Sequence, residues 1–498
     1  MIMLLSGLIA SGIIGSVTTL MLRERVDARH VALFTSLVGL LLFSILTQYM
    51  DFNNQALQLT EMYQWIPFLN IQFILGIDGL SWVLVGLTLF INFIVVLVAY
   101  QQDYDNMGFY LALFLFMQSM VIGVFLAFDA ILFYMFWEGM LIPMYLCIGI
   151  WGAGKRSQAA IKFFLYTFLG SIFMLAGLVY MGMQTGSFSF LDMMQKGFSL
   201  YEQKWLFLAL LFAFAVKIPM FPLHTWLPDA HTEAPASGSV ILAALMLKVG
   251  AYGLMRLSLP ILPQASAYFA PLMVGLSLIA ILYVGVVAYA QTDIKRLIAY
   301  SSVAHMGFVT LGIFLVFMTN SLQIANLSFM GALIQMIAHA FGSGALFLAF
   351  GLLYKRYPHR ERSDFSGLAQ QMPWFTMFFL LFVLSTMGVP LTAGFVGEWM
   401  VIVACIASKP LLGSITALTV VLASAYLLSM FRSVFFGTPN ASIQALQDIR
   451  LSEKALLFLV ACVIVGIGIY PQVFATTAGP AVESLTEVAL RPTIGVRR

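Results

Sequence analysis

The chain has 498 residues, 61% of them hydrophobic and only 9% charged, with a mean hydropathy of +0.97; a soluble domain carries roughly 45–50% apolar and about 25% charged residues, so water is excluded as its main solvent. Net charge is +3 and the basic residues are scattered through short loops, which excludes a nucleic-acid surface. Cys147, Cys405 and Cys462 are odd in number, widely spaced and set in apolar runs, so they read as small core residues and not as a disulfide framework or a metal site.

Apolar windows near the roughly 20 residues that cross hydrocarbon predict an all-α integral membrane protein of about fourteen helices. In chain order these span 3–22, 30–49, 79–100, 107–127, 129–151, 157–183, 204–223, 235–258, 267–290, 293–318, 323–353, 372–404, 411–436 and 455–475. No basic residue precedes the first run, while Arg23, Arg25 and Arg29 follow it, so an uncleaved helix is expected and not a signal peptide. The longest loop, 51–78, has no basic residue and alternates in YQWIPFLNIQFILGID, which predicts a short strand or hairpin on the outer face. Residues after about 476 are too few for another domain, or for a long lateral helix with a further span.

Lys and Arg concentrate on the cytoplasmic side of a membrane protein. With these spans, 14 basic residues fall on one side, among them Lys295, Arg356, Arg360 and Lys454, and 7 on the other: Lys196, Lys204, Arg256, Lys409, Arg491, Arg497 and Arg498. Lys162, Lys217 and Lys248 lie within helices. Both termini are therefore expected outside the cytoplasm.

A charge at the bilayer centre costs at least about 2.5–3.5 kcal/mol, which makes each intramembrane ionisable group a candidate for function. Glu138 lies in a span without a basic partner. Lys217 directly precedes Pro219 and Pro222, and proline removes a backbone donor and clashes with the carbonyl four residues earlier, so a helix break is expected there. Lys248 lies about midway along its span. Glu398 follows a second break containing Pro390, Gly394 and Gly397. His305 and His339 sit in further apolar helices and titrate near neutral pH, which suits either a proton relay or a satisfied core histidine. A structural Glu138–Lys217 ion pair is the plainer alternative for those two charges. His224 and His231 read as capping a break or lining a loop, and Asp129, Asp229 and Asp293 as helix caps. The sequence has no phosphate-binding glycine loop, HExxH, nucleophile elbow or cysteine cluster. KIPMFPLHTW and MGVPLTAGFVGEW, each a proline break beside one charge, lie five helices apart, so equivalent units would sit inverted in the membrane.

The segments FWEGMLIPMY, FAVKIPMFPLHTWLPDAHTEAPASGSVILAALMLKVGAYGLMR, AQTDIKRLIAYSSVAHMGF, QMIAHAFGSGALFL and GFVGEWM closely resemble the antiporter-like membrane subunits of respiratory complex I. An acid at 398, where relatives typically carry lysine, and the lack of a long lateral helix favour the family's M branch. The resemblance implies one transmembrane domain over 1–498, with helices 1–3 in 1–106, a first repeat in 107–258, its inverted copy in 259–436, a last helix and tail in 437–498, and broken helices 7 and 12. It implies proton translocation in an NADH:quinone oxidoreductase of a bacterial inner membrane, beside subunits L and N. No cofactor is bound by this chain, while NADH, FMN, iron–sulfur clusters and quinone are handled by other subunits. Implied roles are Glu138 as the charge paired with the switch Lys217, Lys248 as connecting carrier, His305 and His339 between half-channels, and Glu398 as terminal proton site. Leu391 departs from the pattern, where glycine is expected after Pro390. A cation/proton antiporter or membrane-bound hydrogenase subunit, or a purely structural membrane subunit, are the alternatives.

Overall fold

A computed structural model describes residues 3–439 and 441–494; Arg497 and Arg498 of the basic-residue count lie outside them. Hydrocarbon offers backbone groups no partners, so spanning segments must be helical. Among the described residues twelve helices are long and apolar enough to cross a membrane. The 51–78 loop forms the expected hairpin, with Gln58–Ile66 antiparallel to Ile71–Ile77.

Several segments depart from single straight spans, each for a local reason. The segment expected at 204–223 is the helix Leu200–Lys217, opened by a Ser199–Glu202 capping box and ended at the prolines. The segment expected at 372–404 is two short helices, Pro373–Thr386 and Ala393–Ser408, joined through Gly388 and Leu391 with φ of +73° and +71°. The span expected at 129–151 is interrupted at Met140, between Ala130–Gly139 and Leu141–Trp151; Pro143 has no N–H for the Gly139 carbonyl. The span Ala236–Ile261 contains two π-turns, Leu242–Met246 and Leu254–Ser258, on either side of Lys248. Beyond the last expected span, Gln472–Ile494 forms a helix for which no element was expected.

The chain divides into two compact units, one built from Met1–Ile218, Leu245–Phe269 and Val473–Arg498, the other from Pro219–Ala244 and Ala270–Gln472. In the first, the helices Leu4–Leu22 and Met107–Leu126 approach closely because Gly12 lacks a Cβ, which would lie 2.3 Å from Ser119 Oγ. The first four N–H groups of a helix have no internal partner, and here the buried Glu61 of the hairpin accepts from Leu5 N (2.8 Å), Ser6 N (3.1 Å) and the Ser6 hydroxyl. Arg256, counted on the outer side at the end of the span 235–258, is buried within its helix. Its guanidinium donates to Asp78 Oδ2 at 2.6 Å and to the Tyr252 hydroxyl at 3.2 Å, while Asp78 Oδ1 caps the helix Gly79–Ala99 by accepting from Ser81 N. A buried charge is retained when it is paired and hydrogen-bonded, and loop counting cannot see that pairing.

In the second unit Lys295, counted on the cytoplasmic side at the start of the span 293–318, is buried and donates to the carbonyls of Thr232 and Ala234. Arg360 donates to the Thr232 carbonyl at 2.8 Å and pairs with Asp293 at 3.5 Å. Arg356 pairs with the buried Glu453, and Asp448 accepts from the Trp374 and Phe375 amides. Asp129 and Asp293 cap their helices, through Ile131 N and Arg296 N, as expected; Asp229 lies inside the helix Trp226–Glu233 and pairs with Arg296 at 3.5 Å instead.

Candidate functional site

The charges singled out above fall into two clusters, one in each unit. In the first unit, proline ends the helix Leu200–Lys217 so that Lys217 is its last residue, with its side chain 1% exposed. A cation at that position faces the negative end of the helix dipole. The ammonium has no hydrogen-bond partner among the described residues, and it lies 5.3 Å from the ring centroid of Trp137.

Glu138 follows Trp137 at the Met140 interruption; Ser171, on the helix Arg156–Thr185, stands close to it and donates its hydroxyl to the Phe168 carbonyl at 2.8 Å. Glu138 and Lys217 interact electrostatically, and among the described residues neither Glu138 Oε1 nor the Lys217 ammonium has a hydrogen-bond partner. Lys248 is fully buried on its helix between the π-turns. Two residues on, Gly250 brings that helix against the break, since a Cβ there would lie 3.1 Å from both the Ile218 amide and Lys217 Cβ. π-turns often accompany functional sites because they re-aim side chains locally.

In the second unit the break between Pro373–Thr386 and Ala393–Ser408 places Glu398 in the first turns of the second short helix, 3% exposed. His305 Nδ1 lies 2.8 Å from Glu398 Oε1, and Gln335 Nε2 donates to that same oxygen at 2.9 Å. Glu398 Oε2 has no hydrogen-bond partner among the described residues, and a Cβ on Gly388 would come within 2.9 Å of it. The His305 and His339 rings are 5.9 Å apart between centroids. Glu398, His305, Gln335, His339, Ser343 and Ser385 line one narrow polar cavity.

Of the predicted residues the structure thus brings Glu138 near Lys217 and gathers Glu398, His305 and His339. His224 and His231 are buried and stack on Phe221 and Phe347, so they do not line an exposed loop. Gln335 was missed, although Gln335, His339 and Ser343 recur at every fourth residue of one helix and so share a face. Trp137 and Ser171 carry no comparable sequence signal. Among the described residues no group of three His, Cys, Asp or Glu side chains is placed to hold a metal.

Residues 127–424 match the family model described as NADH:quinone oxidoreductase/Mrp antiporter, TM. The chain is 40% identical over 463 residues to NADH-quinone oxidoreductase subunit M of Rickettsia typhi, covering 92% of each. It is 38% identical over 489 residues to NADH-ubiquinone oxidoreductase chain 4 of Marchantia polymorpha, covering 97% of each. A chain of respiratory complex I from Thermus thermophilus with bound NADH shares 28% identity and superposes with a TM-score of 0.87, over 97% of this chain and 99% of that one. The chain belongs to the NADH:quinone oxidoreductase/Mrp antiporter family of membrane subunits, in its subunit M branch.

Proposed function

We propose that this chain is a proton-translocating membrane subunit of an NADH:quinone oxidoreductase, driven by redox chemistry in other subunits that handle NADH, FMN, iron–sulfur clusters and quinone. The observation that carries the reading is Lys217: a buried ammonium at a proline-broken helix end, with no hydrogen-bond partner among the described residues and within electrostatic reach of Glu138. Two charges about 4 Å apart interact by about 4 kcal/mol at an effective dielectric of 20, so closing and opening this pair changes how tightly Lys217 holds its proton. Lys248 is the next carrier, His305 and His339 relay, and Glu398 is the terminal site. The coupled sites titrate as a group.

In this reading the chain makes fourteen crossings, with 107–258 and 259–436 as inverted repeats, lies in a bacterial inner membrane with both termini outside the cytoplasm, and adjoins subunits L and N. The test is proton pumping by the assembled complex carrying Lys217→Ala or Glu138→Gln. Normal pumping with normal assembly would defeat the switch. A second reading, a cation/proton exchanger subunit, has the family model's inclusion of Mrp antiporters in its favour; it requires sodium-dependent transport without NADH oxidation.

A further inference from the structure

Glu398 is bonded asymmetrically. Oε1 accepts from Gln335 Nε2 at 2.9 Å and touches His305 Nδ1 at 2.8 Å, whereas Oε2 makes no hydrogen bond among the described residues. With Glu398 ionised, the amide orientation of Gln335 follows from its surroundings, because the reverse placement would set a carbonyl against a carboxylate. An amide nitrogen only donates, so it fills a lone pair of Oε1 whether Glu398 is charged or protonated. Oε2 instead points at Gly388, whose φ of +73° and missing Cβ leave the approach open.

We propose that Gln335 is a positioning residue for proton transfer: its side-chain amide holds Glu398 so that the proton is taken up and released on Oε2, the oxygen facing Gly388, while Oε1 stays the fixed acceptor for Gln335 and His305. The bond made on loading is Oε2–H and the bond broken is an O–H of the hydrated proton that reaches Oε2 past Gly388; Oε1 then becomes the carbonyl oxygen of the neutral acid, and on release the proton returns to water. Gln335 and Glu398 are both buried, and Gly397 packs its helix directly on the Gln335 backbone, a Cβ there falling 2.5 Å from Gln335 N. That contact fixes the donor's height along the helix Leu322–Arg356. This inference rests on the reading of Glu398 as a proton site.

The experiment is infrared difference spectroscopy of the assembled complex in its native lipid, comparing states with Glu398 protonated and ionised, alongside NADH-driven pumping. Glu398→Gln identifies the acid's carbonyl band by removing it. In Gln335→Met, which keeps the side-chain length and loses the donor, the band is expected to move to higher wavenumber, because Oε1 loses a hydrogen bond, and pumping per NADH is expected to fall several-fold. Gln335→Asn, which keeps an amide on a shorter stem, is expected to show an intermediate shift. An unmoved band in Gln335→Met, with Glu398→Gln inactive, overturns the assignment of Gln335 alone. Normal pumping by Glu398→Gln overturns the reading of Glu398 beneath it. Failure of both Gln335 variants to assemble, where Glu398→Gln assembles, also overturns the proposal by making Gln335 a structural residue.

Discussion

Substituting Asp78 by Asn tests whether satisfied and unsatisfied buried charges have different jobs in this chain. Asn caps a helix as well as Asp does, so the bond to Ser81 N is kept and the change isolates the charge facing Arg256. That guanidinium is buried, and its strongest contact is the 2.6 Å bond to Asp78 Oδ2; the Tyr252 hydroxyl at 3.2 Å and Ser81 Oγ at 3.4 Å are weaker. Removing one partner of a buried pair costs about 3–5 kcal/mol, because the remaining charge stays desolvated. At about 2–4 °C per kcal/mol for units of this size, the first unit should lose stability at a temperature about 6–20 °C lower. Adding Arg256→Met should restore most of the loss, since no desolvated charge is then left without its partner. The assay is thermal inactivation of the detergent-solubilised complex at one scan rate, because unfolding of large assemblies is governed by rates, with pumping measured per assembled complex below the transition. Wild-type thermal behaviour with reduced pumping would refute the reasoning, by showing that this closed pair is itself a working charge.

Leu391 adopts φ +71° with its side chain 68% exposed; such strain costs a non-glycine residue about 1–3 kcal/mol. Leu391→Gly should therefore raise thermal stability by about 1 kcal/mol after glycine's extra chain entropy, read as an upward shift of the inactivation midpoint. Gly250→Ala should cut pumping per complex without removing any charge, because its Cβ would press on the Ile218 amide and Lys217 Cβ at 3.1 Å; a destabilisation of about 1–3 kcal/mol, seen in thermal inactivation, should accompany the loss. Burial holds the Asp293 carboxyl above its ordinary 3.8, against opposing bonds from the Arg296 and Lys295 amides and the charge of Arg360. An acid raised by folding contributes stability that is full below its ordinary value and lost as pH rises through the raised one. Asp293→Asn, which still caps, should thus gain stability relative to the parent between about pH 4 and neutrality; a difference independent of pH would contradict this.

The membrane spans were legible because hydrocarbon imposes length and apolarity on every crossing, and the two proline–glycine breaks because proline's missing donor acts through the backbone alone. The Met140 interruption has the same signal in Pro143, four residues after Gly139, but the run 129–151 is long and apolar enough to read as one span. The burial of Arg256 and Lys295 was not legible for a different reason: counting basic residues treats each as hydrated, whereas their partners, Asp78 and the Thr232 and Ala234 carbonyls, come from distant parts of the chain. The π-turns flanking Lys248 and the placement of Glu138 relative to Lys217 depend on tertiary packing and have no counterpart in residue spacing. Leu391 stood out as an exception to a glycine pattern, and its left-handed backbone shows what that glycine would have supplied.

The ion pair of Arg356 with Glu453 also settles a question of parity. Two side chains in contact outside the hydrocarbon lie on the same face of the bilayer, so the chain between them must cross an even number of times. Between these residues the helix Pro410–Phe435 is long and apolar enough for one crossing. The short helices Pro373–Thr386 and Ala393–Ser408 must then make a single crossing together, since two would leave the total odd and put Arg356 and Glu453 on opposite faces. The amides of Trp374 and Phe375, held by Asp448 next to Glu453, obey the same count. On the proposed fourteen-crossing reading, the turn at Gly388 then falls within a single traverse.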